Sequence, residues 1–225
     1  QKTLRISPET IYKTLYFRSR EALHHLNVQH LRRSHSLRHG RRHTRKGERG
    51  TINIVNGTPI HEHSRHIYNR RSLGHWDGDL VSGTKNSHIA TLVDRKSRYT
   101  IILRLNGKDA TSVNQALTDK FLSLPPELRQ SLTWDRGMEL ARHLEFTGST
   151  GVKVYFCDPQ SPWQRGTNEN TNGLIRQYFP KKTCLAQYTQ HELDQVAAQL
   201  NNRPRKTLKF KTPKEIIERV VALTD

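Results

Sequence analysis

At 225 residues the chain has room for one sizeable core and a small accessory unit, and an apolar content of 33% is modest but adequate for a globular domain. Its formal charge of +18, from 38 Lys and Arg against 20 Asp and Glu, points to a polyanionic partner. No apolar run approaches the roughly 20 residues of a membrane span and no signal peptide is visible, so nucleic acid is the expected partner and a membrane is not. Cys157 and Cys184 stand alone in the sequence, outside any metal or redox spacing. No disulfide framework is expected, Cys157 reads as a buried strand residue, and a cytoplasmic location fits. The chain begins at Gln1 and not at Met, so residues upstream of it are expected.

The first 71 residues hold +12 of the +18. Ser7-Pro8-Glu9-Thr10 reads as an N-cap with proline at the first helical position, ahead of Ile11, Tyr12, Leu15 and Tyr16. A second helical stretch follows over 21–37. The two suit a DNA-binding segment over 1–37, the end of a helix-turn-helix region. Residues 38–70 read as a basic linker: Arg41, Arg42, Arg45 and Lys46 lie in a run with almost nothing to pack, which suits a solvated arm on DNA.

From His75 the pattern turns to β. Runs at 76–82, 88–93 and 98–105 are strand-like, the last two joined by the turn Asp94-Arg95-Lys96-Ser97. Asp109 caps a helix whose Val113, Leu117, Phe121 and Leu124 share a face, and Pro125-Pro126 ends it. A strand over 131–134, a short helix near 139–146, a strand over 152–157 and a helix from about 166 to 178 follow. Thr189…Glu192 and Thr212…Glu215 are capping boxes opening two more helices. Three antiparallel strands, helix, strand, helix, strand, helix is the order of an α/β, ribonuclease-H-like domain, expected over 71–225.

Within that order three acids stand out. Asp79 falls mid-strand, Asp135 at a strand's end before Arg136-Gly137, and Glu169 near the start of a helix. In so basic a chain they suit a pair of divalent metal ions, which stabilise the attacking and leaving oxygens of phosphodiester transfer. Carboxylate oxygens select Mg²⁺, with Mn²⁺ a substitute. Each acid also has a plainer role open to it: Asp79 pairing with an arginine, Asp135 shaping a turn, Glu169 favouring a helix N-terminus.

Trp76-Asp77-Gly78-Asp79-Leu80, the segment Thr91-Leu92-Val93-Asp94-Arg95-Lys96-Ser97-Arg98-Tyr99, Thr133-Trp134-Asp135-Arg136-Gly137, the long run from Asp158-Pro159 to Asn172-Gly173, and Asn202-Arg203-Pro204-Arg205-Lys206 together resemble the transposases of insertion-sequence family 30. The 33 residues between Asp135 and Glu169 agree with that family's acidic triad. The resemblance implies that Asp79, Asp135 and Glu169 bind metal and are catalytic. Asp77 stands where the family usually has glutamate and shares a strand face with Asp79; the Trp-x-x-Asp spacing shared with retroviral integrases selects Asp79, leaving Asp77 to support it.

Arg176, seven residues and nearly two turns beyond Glu169, is expected to hold DNA phosphate, as the basic residue at that offset in related integrases implies. Asn168, Asn172, Gln177 and Arg165 are further candidates for DNA contact. Trp163 can stack on a base or anchor its loop. His61, His63 and His66 have the wrong spacing for a zinc site. The implied activity is cleavage of transposon ends and joining of their 3′-hydroxyls to target DNA, on terminal inverted repeats, by a homodimer or larger assembly in the bacterial cytoplasm that binds the nucleoid with its DNA. A catalytically inactive DNA-binding regulator is the rival, for which a broken triad is the mark. A retroelement integrase is a third reading; it would carry a His/Cys zinc unit upstream.

Overall fold

The computed structural model describes residues 57–221 apart from Gln160, together with Ile6, Ser7 and Thr10. The chain divides into two units between Glu48 and Arg49. In the first, Ser7 Oγ accepts the Thr10 backbone N–H at 3.0 Å, the contact its capping sequence predicts. The remaining expectations for 1–37, and the arm residues Arg41, Arg42, Arg45 and Lys46, lie outside the described residues.

The second unit is built on a six-stranded mixed sheet: β1 (Thr58–Pro59), β2 (His75–Ser82), β3 (His88–Asp94), β4 (Thr100–Arg104), β5 (Ser131–Trp134) and β6 (Lys153–Phe156), in the order β1-β6-β5-β2-β3-β4. β2, β3 and β4 are antiparallel, whereas β5 runs parallel to β2, β6 to β5 and β1 to β6. Four-residue α1 (Arg65–Tyr68) follows β1. Helices α2 (Ala110–Leu122) and α3 (His143–Thr150) cover one face, where Val113, Leu117, Phe121 and Phe146 pack on Ala90, Leu92, Leu132 and Trp134. Helices α4 (Gly166–Ile175) and α5 (Gln190–Asn201) cover the other, packing Leu174, Ile175, Leu193 and Leu200 on Val81, Ile89 and Ile102. A last helix, α6 (Pro213–Val221), adds Ile217 to the first layer. Every residue of β3 is buried because both its faces are covered.

Local signals set most boundaries. Asp109 accepts the Ser112 N–H to cap α2, and Thr189 with Glu192 forms the full capping box of α5. Thr212 and Glu215 exchange the same pair of bonds before α6. Asp94 Oδ1 accepts from the Lys96 and Ser97 N–H groups, fixing the expected β3–β4 turn. Three expectations differ. The helix near 139–146 is a 3-10 turn, Met138–Leu140, followed by α3, which runs on until Gly151 adopts φ 73° and stops it. The helix after 166 ends at Ile175, three residues short of the expected end.

The third difference concerns 38–70. Its last part is no linker: β1 hydrogen-bonds with β6, and Ile60, His63 and Ile67 are buried. A two-residue edge strand containing proline has no period to read, and its pairing is decided by β6 almost a hundred residues away.

Candidate functional site

β2 and β5 bring the central acids together. Their parallel register pairs Asp77 with Thr133; two residues further along each chain stand Asp79 and Asp135. Alternation on β2 turns Asp77 and Asp79 toward α4 and Gly78 to the opposite face. There a Cβ on Gly78 would lie 2.1 Å from the Trp134 ring, so the glycine lets the indole pack flat beneath the strand.

The two β2 acids have different surroundings. Asp77 is fully buried, and Arg95 Nη1 donates to its Oδ1 at 2.7 Å. Burial pushes the Asp77 pKa up, and Arg95 opposes that. Asp79 remains partly open, its side chain 24% exposed. Asn172 Nδ2 donates to Asp79 Oδ2 at 2.9 Å, and the Leu80 N–H donates to Oδ1. Burial raises the Asp79 pKa; Arg165 pulls it down and the neighbouring Asp135 pushes it up.

One guanidinium joins both acids. Arg165 Nη1 lies 3.4 Å from Asp79 Oδ1 and donates to the Gly78 carbonyl at 2.8 Å, while Nη2 donates to Asp135 Oδ2 at 3.1 Å. Burial disfavours its charge, but Asp79 and Asp135 outweigh burial and hold its pKa above the ordinary value. Asp135 also accepts the Gly137 N–H at 3.1 Å. The plainer roles of pairing and turn-shaping are therefore both realised, alongside the convergence of the two acids.

Glu169 is exposed on α4, one residue from buried Asn168 and on the flank that carries Asn172 and Arg176. Among the described residues no three acidic, histidine or cysteine side chains are grouped closely enough to hold a metal ion, the three histidines 61, 63 and 66 included. A further carboxylate senses the pair: Glu139, half-buried, has its pKa raised by burial and then by Asp135 and Asp79. Its carboxyl lies against Gly137, within 2.4 Å of where a Cβ would stand. Its position two residues beyond the Asp-Arg-Gly turn was the available signal.

The residues expected to contact DNA on and beside α4 also bond within the protein. Asn168 is fully buried, donating to the Asp77 carbonyl at 3.2 Å and accepting from Thr91 Oγ1, so it joins helix to sheet and does not face solvent. Thr91 Oγ1 also reaches Asn172 Oδ1 at 3.0 Å; this buried threonine, opposite Asp79 in the β2–β3 register, positions both amides. Arg165 is held by the acids, its side chain only 13% exposed. Arg176 Nη2 donates to the Ser82 carbonyl at 2.7 Å, tying α4 to the end of β2, and burial lowers its pKa. Trp163, by contrast, is 73% exposed and does not anchor its loop. A separate cleft among the described residues lies beside β4, between α2 and α5, and shares none of these residues.

A divalent cation, implied by the family resemblance, fits the donor set at Asp79 and Asp135. Two hard carboxylates from adjacent strands already converge on a single positive group, Arg165.

The integrase core domain family matches residues 69–162. Over its 225 residues the chain is 94% identical to the transposase InsI of insertion sequence element IS30C from Escherichia coli (strain K12), covering 59% of that protein. It is 44% identical over 225 residues to the transposase of IS1086 from Cupriavidus metallidurans (99% of this chain, 65% of the relative). It is 34% identical over 221 residues to the transposase of IS4351 from Bacteroides fragilis (96% and 65%). The chain thus spans about three fifths of the length of the curated relatives it matches. The fold is that of the catalytic core domain of BIV integrase, at a TM-score of 0.50 and 17% identity over 68% of this chain and 99% of that one. No helix among the described residues is long and apolar enough to cross a membrane.

Proposed function

Because the chain belongs to the transposases of insertion-sequence family 30, we propose that it carries the catalytic core of a DNA transposase, cutting transposon ends and joining their 3′-hydroxyls to target DNA. The observation that carries this reading is the convergence of Asp79 and Asp135 on one cationic group where β2 and β5 lie side by side in the sheet. Asp79 and Asp135 would hold divalent metal, Mg²⁺ with Mn²⁺ as a substitute, and Glu169 would supply the third carboxylate from α4. When bound, such ions stabilise charge on the attacking and leaving oxygens of the phosphate.

The chain's own groups prepare that chemistry. Asn172 fixes the rotamer of Asp79, and Thr91 fixes Asn172. Arg165 offsets part of the charge of both acids and would have to yield its place to a bound cation; once free it could reach a DNA phosphate. Trp163, exposed two residues before Arg165, suits stacking on an unpaired base. The basic N-terminal segment and its arm would bind terminal inverted repeats, with two or more copies of the chain pairing the two ends in the bacterial cytoplasm.

The test is Mg²⁺-dependent strand cleavage on labelled end DNA. Asp79→Asn, Asp135→Asn and Glu169→Gln are each expected to abolish cleavage while DNA binding stays within about threefold; Glu139→Gln is expected to retain it. Cleavage that survives Glu169→Gln and disappears in Glu139→Gln would move the third carboxylate to Glu139. Cleavage that survives all four removes the reading.

A further inference from the structure

On the flank of α4 turned away from Asp79 lies a second, basic site. A cavity of about 240 Å³ is lined there by Arg70, Arg98 and Arg205 with Thr167, Asn170 and Thr171. Helical spacing sets Thr167, Asn170 and Thr171 on one flank of α4 and Asn168 and Asn172 on the other. The three arginines come from separate places: the turn after α1, the end of the β3–β4 turn and the segment after α5.

Gathering permanent cations in one half-buried place is unfavourable unless an anion is shared between them. Among the described residues neither Arg70 nor Arg98 has a carboxylate within ion-pair distance. Arg98 instead donates to Thr167 Oγ1 at the start of α4. Burial, and after it Arg70, lowers the Arg98 pKa to about 10 against the opposing charges of Asp77 and Asp94, which leaves the group charged. Both Arg70 and Arg98 also sit on left-handed backbone, at φ 56° and 64°.

The lining excludes most ligands. It holds guanidinium, hydroxyl, amide and glycine backbone groups and no apolar or aromatic side chain, so nothing is present to grip a base or a cofactor ring. Its volume is below the roughly 300–1,000 Å³ usual for small-molecule sites. Guanidinium forks with hydroxyl donors match the oxygens of a tetrahedral phosphate.

We infer that this cavity binds one backbone phosphate of DNA, held by Arg70, Arg98 and Arg205. The inference rests on the transposase reading for the identity of the polyanion. A helix with its side chains is about 10–12 Å across, so a phosphate in the cavity is separated from one at the carboxylates by the width of α4, and gripping it sets the register of the strand on that helix.

The experiment measures binding of the whole chain to a labelled duplex in EDTA across a salt series, for the unaltered protein, Arg70→Gln, Arg205→Gln and Arg70→Lys. Glutamine keeps the β-carbon, so the backbone at Arg70 is no more strained than before, and urea midpoints check folding. Each Gln variant is expected to bind about tenfold more weakly at moderate salt, and to lose about 0.9 from the slope of log K against log salt. Arg70→Lys is expected to keep the slope. A duplex with a single methylphosphonate at the contacted position should bind the unaltered chain more weakly and Arg70→Gln no more weakly than the native duplex. Unchanged slopes in both folded Gln variants overturn the inference. So does inorganic phosphate that binds the unaltered chain but not Arg70→Gln while DNA slopes stay equal, which would make the ligand a free anion. Mg²⁺-dependent cleavage by the same samples separates the two readings. Unchanged slopes with cleavage intact remove only the cavity assignment, whereas an unaltered chain without salt-dependent DNA binding or cleavage removes the transposase reading.

Discussion

Arg165 reaches the carboxylate of Asp135 at 3.1 Å from a position 30 residues later in the chain, and with the same guanidinium it reaches Asp79. The charge of the acids is thus partly offset from within, which makes them tolerable in a half-buried place. That offset also competes with any other cation. Arg165→Gln is expected to bind Mn²⁺ about tenfold more tightly than the unaltered chain in the absence of DNA, read by electron paramagnetic resonance of the free ion. Equal or weaker binding in a folded variant would show that the guanidinium does not oppose the metal.

Asn172 is expected to act through Asp79. With its amide gone, the Asp79 carboxylate loses its 2.9 Å donor and Thr91 loses an acceptor. Asn172→Ala should lower Mn²⁺ affinity and Mg²⁺-dependent cleavage by about 10–100-fold, the usual effect of removing a group that orients a ligand. DNA affinity measured in EDTA should stay within about twofold. A larger fall in DNA affinity than in metal affinity would make Asn172 a DNA contact instead.

Gly78 is fixed by packing. A methyl group there meets the ring of fully buried Trp134 at 2.1 Å, and an indole cannot retreat as a flexible chain end can. Gly78→Ala should cost about 3 kcal/mol, the upper part of the overpacking range. In a domain of this size that lowers the melting temperature by roughly 6–12 °C. Circular dichroism melts check this, and a fall under about 2 °C would mean that the strand shifts freely away from the ring.

The pH dependence of stability should carry the mark of His63. Its ring packs edge-on against Tyr155 at 4.0 Å, and burial, followed by the charges of Arg95, His75 and Lys153, lowers its pKa from 6.5 to about 3. Between those values the unfolded chain holds a proton that the folded chain does not. Stability is therefore lost as pH falls below about 6.5, at up to ~1.4 kcal/mol per pH unit. His75, lowered to about 4 mainly by burial, adds to the loss with the same sign. His63→Phe keeps a ring on Tyr155 and removes the proton, so its urea midpoint should fall less steeply between pH 6.5 and 4.5. Parallel curves for the two proteins would show that His63 takes no part.

Much of the fold is written in short-range signals. Asp109, Thr189 with Glu192, and Asp94 each bond to backbone or side-chain groups within three residues, so the caps and the β3–β4 turn could be read directly. The β-rich runs and the face of α2 follow from periodicities of two and 3.6, which are likewise local. The candidate acids could be named because their places on strand, strand end and helix were legible. What each side chain does was decided elsewhere. The turning of Asp77 onto Arg95, the binding of Arg165 by Asp79 and Asp135, and the burial of Asn168 between α4 and the sheet depend on strand register and helix docking. So do the pairing of Thr58–Pro59 with β6 and the meeting of three arginines beside Thr167. These partners lie 18 to 93 residues apart where they hydrogen-bond around the carboxylates. No local pattern encodes such contacts; they exist only once the sheet has brought its strands into register and α4 has packed across them.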